Sequence, residues 1–444
     1  MSESILIEGG LVVTGDEKNT ILPSGYVLVE GAKIIEIGKG KPKESPDTTI
    51  DASGCVVIPG IVTAHTHLYG ILLRGASLNI EPPTDFAQIL QRVWWPVDEA
   101  LTVEDAKASA LSASADMLMN GSTFFADTYS GPHSIDKSLD AIAEATRKIG
   151  IRSMLAFEMT ERNTREEGTK GLEENVRFVK CCEKDDLTSV MMSIHASFTV
   201  GDELIEQAVK TATELDIPIT AHTSEGLVDL YHNLERYGER TVERLDRLGV
   251  LKPRTVLAHC VHVNNHELDL VAEKGGAVAH NPMSNMLNAV GTAPVPDMLE
   301  RGIPVGIGND GWIYDPFENM RCALTVHRLA RRDPSVMGPD QVFRMATLDG
   351  ALCYGMESII GSLEKNKQAD IVVLDGARVP TPLNESSVIG HLVNTFGGRD
   401  VRDVLVAGKE VVRNKSLVNI PLDEVSRISQ DSAANLWSRL SGKS

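Results

Sequence analysis

The sequence predicts an α/β protein: a (β/α)8 TIM barrel with a small β-sandwich domain formed from both termini. Three observations predict it. Eight short apolar runs alternate with amphipathic stretches through the middle of the chain. Two strand-rich, turn-punctuated segments flank that middle. Histidines gather at the C-terminal ends of the apolar runs, where barrels of this kind build their sites.

The flanks come first. "SILIEGGLVVTGD" and "GYVLVEGAKIIEIGKG" are β-branched runs broken by glycine-containing turns. The texture returns in "ADIVVLDG" (369–376) and "VRDVLVAGKEVVRN" (401–414). The two flanks can therefore pair into one small β-domain. "LDEVSRISQDSAANLWSRL", near the end, has helical spacing of its apolar residues. The expected divisions are 1–57 (sandwich, N-terminal part), 58–360 (barrel) and 361–444 (sandwich, C-terminal part, with a terminal helix).

The middle supplies the barrel. Residues 56–67 make one apolar run. "STFFADT", "RSMLAFEM", "SVMMSIHAS", "PITAHTSE", "TVLAHC", "GAVAHN" and "PVGIGND" complete eight. Amphipathic segments such as "DKSLDAIAEATRKIG" and "DELIEQAVKTATELD" lie between most of them. Near-continuous apolar strands alternating with such helices imply a parallel sheet buried on both faces. The middle exceeds the roughly 250 residues typical of the fold, which leaves room for long loops after the first and third strands.

Composition narrows the partners. The 444 residues are 42% hydrophobic and 24% charged, an ordinary globular balance. No stretch approaches the roughly 18–20 apolar residues of a membrane span. "MSESILIEGG" has neither a basic n-region nor an apolar h-region and does not read as a signal peptide. Six cysteines without paired spacing suit free thiols in a reducing cytoplasm. A net charge of −19 disfavours nucleic-acid backbones. The densest basic cluster, "RLARRD" (328–333), reads as a solvated helix face. The expectation is a small-molecule substrate, no nucleic acid and no membrane partner.

The chemistry lies at the strand ends. The first strand ends in His65 and His67, the fourth carries His195, and the fifth ends in His222-x-x-Glu225. The sixth ends in His259, the seventh in His280 and the eighth in Asp310. Six of the twelve histidines thus fall where barrel strands converge. An isolated His-x-His is more often a surface or core pair, but this pattern is not scattered. Residues i and i+2 of a strand face one side, so His65 and His67 can share one ion. His222 adds a third imidazole and Asp310 a carboxylate. Three nitrogens and one oxygen suit one divalent metal ion, Zn²⁺, or Fe²⁺ as the alternative. An open position on it implies a bound water with its pKa lowered toward about 7.

The remaining groups suit proton work. Glu225 can protonate a ring nitrogen and then the leaving group. His259 can polarise the attacked centre or orient the water, and Asp310 can take the water's proton. His195 reaches substrate or packs in the barrel; His280 is open between the two. Two-metal barrels commonly bridge their ions with a lysine or acidic residue in a middle strand. "SVMMSIHAS" offers neither, and Glu158 in the third strand sits beside Phe157, so a single ion is expected.

"PGIVTAHTH", "HASFTV", "HTSE", "LAHC", "HNPMSNM" and "GNDG" together resemble the amidohydrolase superfamily. Within it they resemble the branch of adenosylhomocysteine and methylthioadenosine deaminases, guanine deaminase and triazine chlorohydrolases. "FEMTERN", "LYHNLERYG" and "PTPLNESSVIGHL" are similar to the SsnA-type aminohydrolases, whose genes neighbour those of purine catabolism. The resemblance covers nearly the whole chain. It implies a mononuclear metal barrel with ligands His65, His67, His222 and Asp310, with Glu225 and His259 catalytic. It also implies a homodimer or larger homo-oligomer.

The departures carry information too. Where the nucleoside deaminases have a ribose-gripping Glu after Trp-Pro, this chain has Asp98. Their strand-3 arginines align near Phe157 and Gly171, which makes adenosylhomocysteine a doubtful substrate. Trp312, after the eighth strand, either stacks on a flat heterocycle or packs its loop. The expected substrate-binding residues are His195, Asp98 and Trp312. The expected reaction is hydrolytic deamination of a purine-like nitrogen heterocycle by the metal-activated water. The alternatives are ring opening of a cyclic amide or ureide, halide displacement, or a non-catalytic ligand-binding protein on the same scaffold.

Overall fold

The computed structural model describes residues 4–42, 46–182 and 187–442. Eighteen strands form two sheets. The flanking strands are β1 (Ser4–Val13), β2 (Ile21–Glu30), β3 (Lys33–Lys39), β4 (Thr48–Asp51) and β5 (Cys55–Pro59). The middle carries β6 (Ile61–Thr66), β7 (Ser122–Tyr129), β8 (Arg152–Met159), β9 (Thr188–Val190), β10 (Met192–Ala196), β11 (Ile219–Thr223), β12 (Thr255–His259), β13 (Ala277–His280) and β14 (Val305–Ile307). The remaining strands are β15 (Ile371–Asp375), β16 (Val401–Val406), β17 (Lys409–Arg413) and β18 (Ser416–Leu417).

Strands β6, β7, β8, β10, β11, β12, β13 and β14 pair in parallel, in that order. The ring comes round to β6, where the Asn309 amide donates to the His65 carbonyl at 2.9 Å. Val62, Phe124, Met154, Ala156, Val256 and Ala279 fill the lumen. Tyr354 stoppers its lower end, donating from its hydroxyl to the Ala64 carbonyl at 2.7 Å. The fold is the barrel that the alternating runs imply.

Two runs break where the sequence reads as continuous. Residues 56–67 hold two strands, not one. The chain passes from the flanking sheet to the barrel at Gly60, where a Cβ would lie 1.9 Å from the Thr123 hydroxyl oxygen. No other residue fits there. The fourth run is divided into β9 and β10 at Met191.

The flanking sheet runs β18-β17-β16-β15-β5-β1-β2-β3, with β4 on β1. Strands from both ends of the chain meet where β5 pairs antiparallel with β15. Ile7, Val27, Val29, Ile34, Val57, Ile371, Val373 and Leu405 are fully buried in one cluster. They come from the length of one sheet, so the sheet closes over its own core.

Two devices tie this sheet and the C-terminus to the barrel. Arg152, at the start of β8, grips Asp370 through two hydrogen bonds of 3.0 Å. Asp370 also accepts the Ala407 amide at 2.8 Å. The helix Leu422–Ser441 crosses behind the first long loop, where Trp437 Nε1 donates to the Leu72 carbonyl at 2.8 Å. Among the described residues no helix is long and apolar enough to cross a membrane.

The Arg152–Asp370 side chains are 4% and 2% exposed. Removing one partner strands a buried charge, at about 3–5 kcal/mol. Arg152→Met is expected to lower the unfolding free energy by that amount, read from urea denaturation. The Arg152→Met/Asp370→Leu pair is expected to recover part of it, because no buried charge is then left without its counter-charge.

Candidate active site

The site sits at the C-terminal mouth of the barrel. His65, His67, His222 and Asp310 bring four ligand atoms within 4.8 Å of one another. They come from β6, β11 and the turn after β14. Simple alternation does not put them there. Val62 and Ala64 already face the lumen. A register shift between Thr63 and Thr66 inserts one extra residue against β7. Such a bulge changes the phase of a strand, and so His65 and His67 also turn inward.

Backbone strain completes the aim. Ser224, His259, Cys260 and Asp310 all adopt positive φ, at 50°, 73°, 49° and 55°. Each such residue costs of order 1–3 kcal/mol, and functional sites are where such cost persists. The peptide at Gly308 packs so closely on β6 that a Cβ would lie 2.7 Å from the His65 carbonyl.

Hydrogen bonds then set the tautomers. His67 Nδ1 donates to the Thr128 carbonyl at 2.8 Å. His222 Nδ1 donates to the His195 carbonyl at 2.7 Å. Both Nε2 atoms are therefore lone-pair donors, and they face each other at 3.1 Å. Asp310 Oδ1 lies 3.2 Å from His65 Nε2 and 3.4 Å from His67 Nε2. Lone pairs and a carboxylate this close repel unless a cation lies among them. Three imidazoles and one carboxylate, with backbone carbonyls holding the outer nitrogens, fit a divalent ion with nitrogen and oxygen preference.

The proton affinities express the same demand for positive charge. Burial lowers that of His67, yet the Asp310 hydrogen bond and the Glu158 charge push its pKa up to about 10. Burial and the neighbouring imidazoles drive His222 well below its ordinary value. Burial would raise Asp310, but His259, His65 and His67 hold it well below the carboxylate range.

Glu225 and His259 lie beside this cluster. Glu225 Oε2 is 3.5 Å and Asp310 Oδ1 3.6 Å from His259 Nε2. Burial pushes the Glu225 carboxyl up to about 7, against the opposing charge of His259. Burial lowers His259, but Glu225 and Asp310 more than offset it and raise the pKa to about 9.

The helix Pro282–Leu287 and its flanks explain the "HNPMSNM" run. Asn285 accepts from His259 Nδ1 at 2.8 Å. Ser284 donates to Asp310 Oδ2, and Asn288 donates to Glu225 Oε1 at 3.3 Å. Sequence reading missed these three supports, although polar residues recurring at i and i+4 after an active-site strand are a visible signal.

The cleft above spans about 610 Å³ of space, the open solvent at its mouth included. One side of its wall is the insertion after β6: Phe86, Leu90, Trp94, Trp95 and Asp98. A π-helical turn over Leu90–Trp94 gives that wall its offset, a distortion common at functional sites. His195 lines the cavity, with Nδ1 on the Thr199 hydroxyl at 2.7 Å. Burial lowers its pKa to about 3, so the ring is neutral. Asp98 lines the cavity too, but Arg162 lies 2.7 Å from its Oδ2. Trp312 is not among the lining residues; it packs edge-on against Trp94 with centroids 5.5 Å apart. His280 turns away and meets His327, nitrogen to nitrogen at 3.0 Å. Glu158, set aside in the sequence, lines the cavity. The alternation of Met154, Ala156 and Glu158 along β8 is the signal that could have found it.

Residues 56–411 match the Amidohydrolase family, and the chain belongs to it. A 5'-deoxyadenosine deaminase of Methanosarcina mazei is 35% identical over 442 residues, covering 98% of this chain and 99% of that one. A 5-methylthioadenosine/S-adenosylhomocysteine deaminase of Thermococcus onnurineus is 34% identical, covering 93% and 95%. The crystal structure of an adenosine deaminase from Xanthomonas campestris with bound zinc superposes with a TM-score of 0.90 at 26% identity, covering 98% of each chain.

Metal analysis tests the cluster directly. One divalent ion per chain is expected, removable by a strong chelator. Rebinding at a hundredfold excess over Kd should restore about 2.7 kcal/mol of stability. Asp310→Asn should weaken binding at least about tenfold.

Proposed function

We propose that the protein is a metal-dependent aminohydrolase that removes ammonia from a purine-like nitrogen heterocycle. Its relatives named as deaminases, matched over nearly the full chain, support this reading. His65, His67, His222 and Asp310 would hold one ion, and zinc accords with the donor set and with the Xanthomonas structure. When bound, such an ion supplies Lewis acidity that activates water at neutral pH.

The chain's own groups supply the rest. Asp310 accepts the proton of the attacking water through a carboxylate oxygen. His259, held by Asn285, orients that water and stabilises charge at the attacked carbon. Glu225 protonates the ring nitrogen next to that carbon. Asp310 then gives the water's proton to the amino group, which departs as ammonia, while the added hydroxyl returns its proton to Glu225 and becomes a carbonyl. The observation that carries the proposal is the placement of Glu225, buried at the mouth with its Oε2 3.5 Å from His259 Nε2 and beside Asp310. A carboxyl buried beside Asp310, with its pKa raised to about 7, can both give and take a proton near neutral pH. His195, neutral and facing the cavity, serves to orient the ring.

Ammonia release from a panel of aminopurines, aminopyrimidines and aminotriazines is the test, with chelated protein as control. Metal-dependent ammonia from one ring class is expected. Loss of ring absorbance without ammonia would replace deamination by ring opening. Glu225→Gln is expected to cut kcat by about 10²–10⁴ with metal content unchanged. Activity within a few-fold of the parent would remove Glu225 from the proton path.

A further inference from the structure

One charged group in the cavity wall has no part in the chemistry above. Glu158, near the end of β8, is 2% exposed and lines the cavity. His222 Nδ1 lies 3.3 Å from its Oε1. That nitrogen carries one proton, which goes to the His195 carbonyl at 2.7 Å. Glu158 Oε1 is left without a donor. The same bond argues against a second ion here. The ligand atoms of Glu158, His195 and His222 lie within 4.8 Å, but His222 Nδ1 has no free lone pair to offer.

Asp98 makes the contrast. Its carboxylate faces the Arg162 guanidinium at 2.7 Å, with the two side chains 3% and 4% exposed. Asp98 thus has a guanidinium beside it, although its Oδ1 also lacks a donor; Glu158 faces only an imidazole whose proton goes elsewhere. A buried carboxylate without a donor is unfavourable, and a ligand that brings a donor relieves it. A ligand that brings a methyl group does not, and sites built this way discriminate strongly.

We infer that Glu158 reads the substrate. It accepts a hydrogen bond from an N–H or NH2 group on the edge of the ring remote from the carbon that loses ammonia. This rests on the deaminase reading above and narrows it. The substrate class is an aminated heterocycle with a free ring N–H or a second amino group at that edge. A ring alkylated or glycosylated at that nitrogen is rejected.

The test uses zinc-loaded protein and matched ligands: free aminopurine bases and their N7- and N9-methyl derivatives. Ammonia release gives kcat/KM, and calorimetry gives the affinity for the corresponding oxo products. The parent protein is expected to favour the N–H member by about 100-fold or more in both readouts. Glu158→Met should reduce that preference to within a few-fold. Glu158→Gln, which keeps an acceptor oxygen, should retain part of it, with one metal per chain throughout. Equal treatment of the matched ligands by the parent overturns the inference. So does a preference that survives in Glu158→Met, or a second metal ion lost with Glu158. A binding preference without ammonia from any compound upholds Glu158 and removes deamination. Ammonia without a preference does the reverse.

Discussion

Two imidazole lone pairs and a carboxylate oxygen held within about van der Waals contact set the terms for the rest of this structure. His67 Nε2, His222 Nε2 and Asp310 Oδ1 repel one another unless a cation joins them. No side chain holds such a position unaided. The protein fixes the outer nitrogens of His67 and His222 on backbone carbonyls and supports Asp310 from Ser284. It also bears four positive-φ residues and one strand bulge at the mouth. An ion bound there would couple its binding energy to the shape of four strand ends.

The surrounding wall is built with different physics. The apolar and aromatic surface comes from an insertion after β6, itself backed by the helix Leu422–Ser441. The far end of the chain thus braces the loop that shapes the cavity. Within this wall the polar groups are few, and their partners differ. His195 is held by Thr199, Asp98 is neutralised by Arg162, and Glu158 has no donor. In a low-dielectric cavity such differences in pairing weigh heavily on any polar group a ligand brings.

Much of this was legible in the chain. Alternation of apolar runs with amphipathic segments requires a parallel barrel, because both faces of each strand must be covered. Histidines at strand ends point to one mouth, because parallel strands end together there. The spacing His65-x-His67 and the pair His222-x-x-Glu225 needed no coordinates. By themselves, these local patterns determined the architecture and which histidines and carboxylates gather at the mouth.

Tertiary structure decided what depends on partners distant in sequence. The bulge that turns His65 inward is defined only against β7, and the handover at Gly60 only against Thr123. Whether Asp98 is free depends on Arg162, sixty-four residues on. Trp312 stands behind Trp94, and His280 faces His327; neither packing choice has a local signature. That Glu158 lacks a donor depends on the single Nδ1 proton of His222 going to the His195 carbonyl. A sequence specifies which groups are present and which way a strand alternates. Whether a buried charge is satisfied depends on every donor within reach, and those donors are brought together only by folding.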